Sequence, residues 1–60
     1  MWKVIAADDE PFIREALKEM IPWDELGCHL AEALKNGKEV VNAVEKYKPD
    51  IVILDIQMPL

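Results

Sequence analysis

Two solid apolar runs, near the start and the end of the chain, bracket two segments of helical periodicity and one segment of ambiguous pattern. Residues 3–7 (KVIAA) are apolar beyond Lys3, contain β-branched Val4 and Ile5, and end in acids. An uninterrupted run of this kind predicts a strand buried on both faces. Pro11 follows and suits the first turn of a helix, where its missing N–H removes no bond. Ile13, Ala16, Leu17, Met20 and Ile21 recur at i, i+3, i+4, i+7 and i+8. They form one apolar stripe, with Arg14, Glu15, Lys18 and Glu19 on the outside. Pro22 stops this helix.

Residues 22–27 (PWDELG) read as a connector with room for a helical turn. The segment Cys28–Leu34 (CHLAEAL) fits a short helix or a strand by pattern; the connector before it and the cap after it favour a strand. Asn36 is a good N-cap, and Glu39 stands three residues on, close to a capping box. Val40, Val41, Ala43, Val44 and Tyr47 give the second helix its apolar side, and Pro49 ends it. Ile51–Leu54 is the clearest strand, again solidly apolar and again followed by an acid, Asp55.

The predicted order is β-α-β-α-β. Strands alternating with helices imply right-handed crossovers and a parallel sheet with helices on both faces, an α/β fold. No internal repeat, linker or low-complexity stretch interrupts it.

Charge and size narrow the possible functions. Seven Lys and Arg stand against twelve Asp and Glu, a formal net charge of −5. That balance argues against a nucleic-acid-binding surface, which needs clustered cations, and against docking on an anionic membrane. A hydrophobic share of 52% argues against disorder. Ile51–Leu54 is the longest solid apolar run, far short of the roughly 20 residues that span a bilayer. Acids at positions 8 and 9 interrupt any signal-peptide core, so the expected location is cytoplasmic. The single cysteine, Cys28, makes no internal disulfide and fits a reducing compartment. A chain of about 60 residues buries only some 60% of its unfolded surface. With no disulfide pair and no Cys/His cluster, this one is expected to lean on a partner surface.

The chemistry-bearing residues sit where strands end. Asp8 and Asp9 follow the first strand, and Asp55 follows the third. In open α/β sheets, ligands gather at the carboxyl ends of strands where the strand order switches. If strands one and three are neighbours, three carboxylates meet there and repel one another. A hard divalent cation relieves that repulsion, and Mg²⁺ suits a few carboxylates completed by waters and phosphate oxygens. The plainer alternative is that these acids cap helices and solubilise loops.

At these residues the chain resembles the N-terminal half of a response-regulator receiver domain of two-component signalling. Residues 3–11 (KVIAADDEP) match that family's first strand and acidic pair. Residues 51–59 (IVILDIQMP) match its third strand, phospho-acceptor and following loop. The resemblance covers residues 1–60 and implies a truncated flavodoxin-like receiver fold with parallel sheet order 2-1-3. It implies that Asp55 takes a phosphoryl group from the phosphohistidine of a sensor histidine kinase. It further implies a Mg²⁺ site: Asp9 binds directly, Asp8 directly or through water, Asp55 joins them, and the backbone carbonyl of Gln57 is a further ligand. Such a domain is a phospho-acceptor, not an enzyme, and regulates transcription through an output domain.

The stretch 21–27 (IPWDELG) resembles receivers that precede AraC-type helix-turn-helix output domains; structurally, Trp23 and Leu26 also suit pinning a loop to the core. Receivers of this family are about twice as long, and their fourth and fifth strands end in a Ser/Thr and a Lys that contact the phosphoryl oxygens. Sixty residues without those groups are expected to accept phosphoryl groups poorly.

A reading of a different class is a self-associating half-flavodoxin module. The outer edge of strand three would lack its neighbour, and an unpaired apolar edge is a template for another chain, with a homodimer as the usual outcome. A strand-end Asp also suits phosphatases of the haloacid-dehalogenase type, but those show Asp-x-Asp, and here Gln57 fills the second position. Of the remaining residues, Cys28 reads as strand packing and His29 as a surface or edge histidine. Met20 reads as core packing and Met58 as loop packing. Phe12 is expected to be partly exposed next to Asp9.

Overall fold

β1 (Trp2–Ala7), α1 (Pro11–Glu19), β2 (Cys28–Leu34), α2 (Gly37–Tyr47) and β3 (Ile51–Leu54) follow one another along the chain in a computed structural model that describes residues 1–55. The three strands form one parallel sheet of order β2-β1-β3. Ala7 faces Leu34 on one side and Leu54 on the other, so all three strands end level. The α/β class, the element order and the sheet order are those expected from the sequence. The first strand begins one residue earlier than expected, at Trp2, whose N–H donates to the Gly27 carbonyl.

The middle strand forms the core. Val4, Ile5 and Ala6 are fully buried, as the absence of polar alternation requires. Ile5 and Ala7 pack with Leu34, Val40 and Ala43, flanked by Ala31 and Tyr47, which seats α2 on one face. Val4 and Ala6 point the other way by the two-residue period of a strand, and α1 packs on β1 and β2. Right-handed crossovers that run in opposite directions across the sheet, from β1 out to β2 and from β2 back past β1 to β3, place the helices on opposite faces. The β1–β2 register slips between Val4 and Ile5, which pair with Leu30 and Glu32 and leave Ala31 as a bulge.

The connector between α1 and β2 is a compact turn. Leu26 and Cys28 donate to the Trp23 carbonyl, and Gly27 donates to that of Asp24. Gly27 has φ of 73°, a left-handed conformation that an L side chain resists. Trp23 is half-buried and its indole Nε1–H donates to the Leu17 carbonyl at 2.8 Å. It thereby satisfies one of the unpaired carbonyls in the last turn of α1. Leu26 is exposed, so Trp23 does the pinning.

Three local expectations are corrected. The apolar stripe of the first helix stops short, because α1 ends at Glu19 and Met20 is its C-cap. Met20 is 79% exposed, outside the core. The apolar side of α2 divides: Val40 and Ala43 are buried, whereas Val41 and Val44 are exposed. The helix caps itself as expected at Asn36, whose Oδ1 accepts from the Glu39 N–H at 2.9 Å. Glu39 Oε1, however, accepts from the N–H of Lys35, one residue before the position a capping box uses.

β3 is solidly apolar yet 39–51% exposed at every residue. It pairs with β1 alone, and neither helix packs on it among the described residues.

Candidate acidic site

The level ends of β1 and β3 bring the acids together. Asp8 directly follows β1, and its N–H donates to the Leu34 carbonyl at 2.9 Å. Asp55 directly follows β3, and its N–H donates to the Ala7 carbonyl at 3.3 Å. Both are half-buried, and Asp9 is exposed. One carboxylate oxygen from each of Asp8, Asp9 and Asp55 lies within 4.8 Å of the other two. The three acids singled out in the sequence therefore meet. Gln57 and Met58 lie outside the described residues.

The loop that carries the acidic pair is tied down. Asp8 Oδ1 accepts from the Glu10 N–H at 2.9 Å, an Asx turn that leads into Pro11 at the start of α1. The Asp8 carbonyl accepts from Nη1 of Arg14 at 2.7 Å, and this contact is partly buried. Arg14 was assigned to the outer face by periodicity. Its long side chain instead reaches back from the first turn of the helix to the loop. The signal for it in the sequence is slight: a single cation one helical turn beyond an acidic pair.

Phe12, expected to be partly exposed, is 82% exposed. A groove between β2 and α2, apart from these acids, is lined by Glu32, Leu34, Glu39, Ala43 and Lys46.

Hard carboxylate oxygens suit a hard cation. Mg²⁺ holds oxygen at about 2.0–2.1 Å, so two direct ligands stand no more than about 4.2 Å apart. A spread of up to 4.8 Å fits such an ion when one acid draws in slightly or binds through water. Asp55, at the strand end, also offers a carboxylate to an incoming electrophile.

A three-stranded parallel sheet with acids gathered at the carboxyl ends of adjacent strands defines an α/β module of the open-sheet kind, in which ligands gather at that edge. The model of the response regulator receiver domain matches residues 4–60, and the chain belongs to that family. It is 42% identical over 59 residues to an uncharacterized response regulatory protein of Staphylococcus epidermidis, covering 98% of this chain and 24% of that protein. It is 41% identical to the transcriptional regulatory protein HptR of Staphylococcus aureus, covering 98% of this chain and 23% of that protein. Among solved structures it resembles the REC domain of AraT, a response regulator from Geobacillus stearothermophilus. The TM-score is 0.89 at 34% identity, covering 98% of this chain and 46% of that one. The chain thus spans about a quarter of the length of the curated relatives it matches. No helix among the described residues is long and apolar enough to cross a membrane.

Proposed function

We propose that this chain is the acid-bearing half of a phospho-acceptor receiver in a cytoplasmic two-component response regulator that controls transcription. The observation that carries the reading is the convergence of Asp8, Asp9 and Asp55 within 4.8 Å at the ends of neighbouring strands. Asp55 is the acceptor. One of its carboxylate oxygens attacks phosphorus, a P–O bond forms, and the P–N bond to the histidine of a sensor kinase breaks. The imidazole leaves with the electron pair, and the product is an acyl phosphate. Asp9 and Asp55, with Asp8 directly or through water, would hold Mg²⁺, with the Gln57 carbonyl as a further ligand. When bound, the ion supplies positive charge to the transferring oxygens.

The transcriptional role is supported by the relative named as a transcriptional regulatory protein. The 21–27 connector supports an output domain of AraC type. Nucleic acid is contacted by that output domain, since the segment described here has a net charge of −5. The sixty residues taken alone are poor acceptors, for want of the Ser/Thr and Lys that the family places on later strands.

Incubation with acetyl phosphate tests the reading. A full-length parent is expected to be labelled, and its Asp55→Asn variant is not. Wild-type labelling of that variant refutes the assignment. Efficient, stable labelling of the sixty residues alone refutes their incompetence.

A second reading, self-association of the sixty residues as a homodimer, is supported by the exposure of β3 on both faces. Leaving apolar surface wet forgoes roughly 25 cal/mol per Å². Light scattering at micromolar concentration tests it, and a folded monomer refutes it.

A further inference from the structure

We propose that Arg14 is a positioning residue for the acidic site: by clamping the Asp8 carbonyl it fixes the peptide plane that aims Asp9 and Asp8 toward Asp55. The inference rests on the reading of this cluster as a Mg²⁺ site, and it adds a residue that is not itself an acid.

The carbonyl of Asp8 and the N–H of Asp9 belong to one planar peptide unit. Fixing the carbonyl therefore fixes the direction in which the chain enters Asp9. Asp8 is already held by its N–H on the Leu34 carbonyl and by its Oδ1 on the Glu10 N–H. Neither bond engages the Asp8 carbonyl, and the 2.7 Å bond from Arg14 Nη1 restrains the rotation of the Asp8–Asp9 peptide. Three contacts thus define one residue, and they come from β2, from the loop and from α1.

Arginine suits this task for two reasons. Its guanidinium presents five N–H donors in a rigid planar fork, one of which meets the carbonyl. It also brings a permanent positive charge to a loop that carries two of the three acids, which offsets part of their mutual repulsion. The planar head keeps a fixed donor direction, whereas a lysine ammonium on a flexible stem does not. The contact is partly buried, and a charge-assisted bond there is stronger than a neutral one in water.

Two variants separate clamping from charge. Arg14→Met keeps an unbranched apolar stem and removes both donor and charge. Arg14→Lys keeps the charge and loses the fork. The readouts are Mg²⁺ affinity from amide chemical shifts and ¹⁵N order parameters of Asp9 and Glu10, each measured on the whole chain beside its urea midpoint. Arg14→Met is expected to weaken Mg²⁺ binding about tenfold or more. The Asp9 and Glu10 order parameters are expected to fall from about 0.85 toward 0.6 without added metal, while those of α2 stay unchanged. Arg14→Lys is expected to recover only part of the affinity.

Unchanged order parameters in Arg14→Met overturn the proposal, whatever happens to Mg²⁺. So does a mobile loop with wild-type Mg²⁺ affinity, which would leave Arg14 a purely structural contact. So does full recovery by Arg14→Lys, which would make charge alone responsible. If the wild-type chain itself shows no Mg²⁺ response, or Asp9→Ala binds as well as wild type, the metal reading fails. The clamp then stands or falls on the order parameters alone.

Discussion

Lys3 and Asp50 exchange two hydrogen bonds at the amino-terminal edge of the sheet: the Asp50 N–H donates to the Lys3 carbonyl, and the Lys3 N–H donates to Asp50 Oδ2, both at 2.8 Å. The Lys3 ammonium also donates to the Tyr47 carbonyl at 3.0 Å, at the end of α2. A cation there complements the unpaired carbonyls and the negative end of the helix dipole. The pair sets the register of the strand that follows. Ile51 stands opposite Val4 and Leu54 opposite Ala7, which delivers Asp55 beside Asp8. A slip of one residue would turn every side chain of β3 to the other face. The acidic site therefore depends on a contact at the opposite end of the sheet.

Asp50→Ala is accordingly expected to destabilise the chain by about 1 kcal/mol, the usual net worth of a hydrogen bond. Asp50→Asn keeps a side-chain acceptor and is expected to fall within about 0.5 kcal/mol of wild type. Urea unfolding measures both. An unchanged midpoint in Asp50→Ala would show that the main-chain bond suffices to hold β3.

Asn36→Ala is expected to cost about 1 kcal/mol, because the Glu39 N–H loses its acceptor at the start of α2. The loss should appear as a lower urea midpoint with an unchanged slope. The contact of Glu39 with the Lys35 N–H is separate, so Glu39→Gln, which keeps an acceptor, is expected to change little.

Lys48 closes α2 with φ of 49° and ψ of 60°, and its N–H donates to the Val44 carbonyl. A left-handed residue with a Cβ carries a steric cost that glycine avoids. Lys48→Gly is expected to stabilise the chain by about 0.5 kcal/mol, the steric relief being partly offset by the greater freedom of glycine when unfolded. A lower midpoint would mean that the lysine stem makes up the cost through contacts of its own.

How much of this was legible in the sequence follows from range. The helices were legible from their own period and β1 and β3 from their solid apolar runs, whereas β2 was ambiguous by pattern and was favoured as a strand by the connector before it and the cap after it. The burial expected of such a run holds in β1, at Val4, Ile5 and Ala6, and not in β3. The acids at the strand ends were legible from the residues, but their meeting was conditional on strands one and three being neighbours, an order that the family resemblance supplied and the sheet order β2-β1-β3 bears out. Arg14 was not legible, since periodicity says which face a Cα occupies and nothing of where a six-atom side chain returns. Met20 was misjudged for a related reason. Apolar character marks a residue as able to pack, but the stripe of α1 is longer than the sheet surface the helix covers. The exact partner of Glu39 turned on one residue of backbone path before the cap.

The acidic site also predicts a conflict between stability and function. Three carboxylates within 4.8 Å repel one another when no cation stands between them. Asp9 is exposed, so the repulsion is screened by salt, over roughly 10 Å at 0.1 M ionic strength and 3 Å at 1 M. Replacing Asp9 by asparagine removes one charge and keeps the shape of the loop. In metal-free, low-salt buffer, Asp9→Asn is therefore expected to unfold at a higher urea concentration than wild type. The advantage should shrink as salt is added. It should shrink further, or reverse, as Mg²⁺ is added, because a ligand that binds the folded state stabilises it by RT ln(1 + [L]/Kd), and the variant, having lost a ligand, has the larger Kd. Urea midpoints for both proteins across a grid of NaCl and MgCl₂ measure this. A gain in Asp9→Asn that persists unchanged in high salt would show that the substitution acts through packing or loop propensity, and that the three acids do not strain the fold.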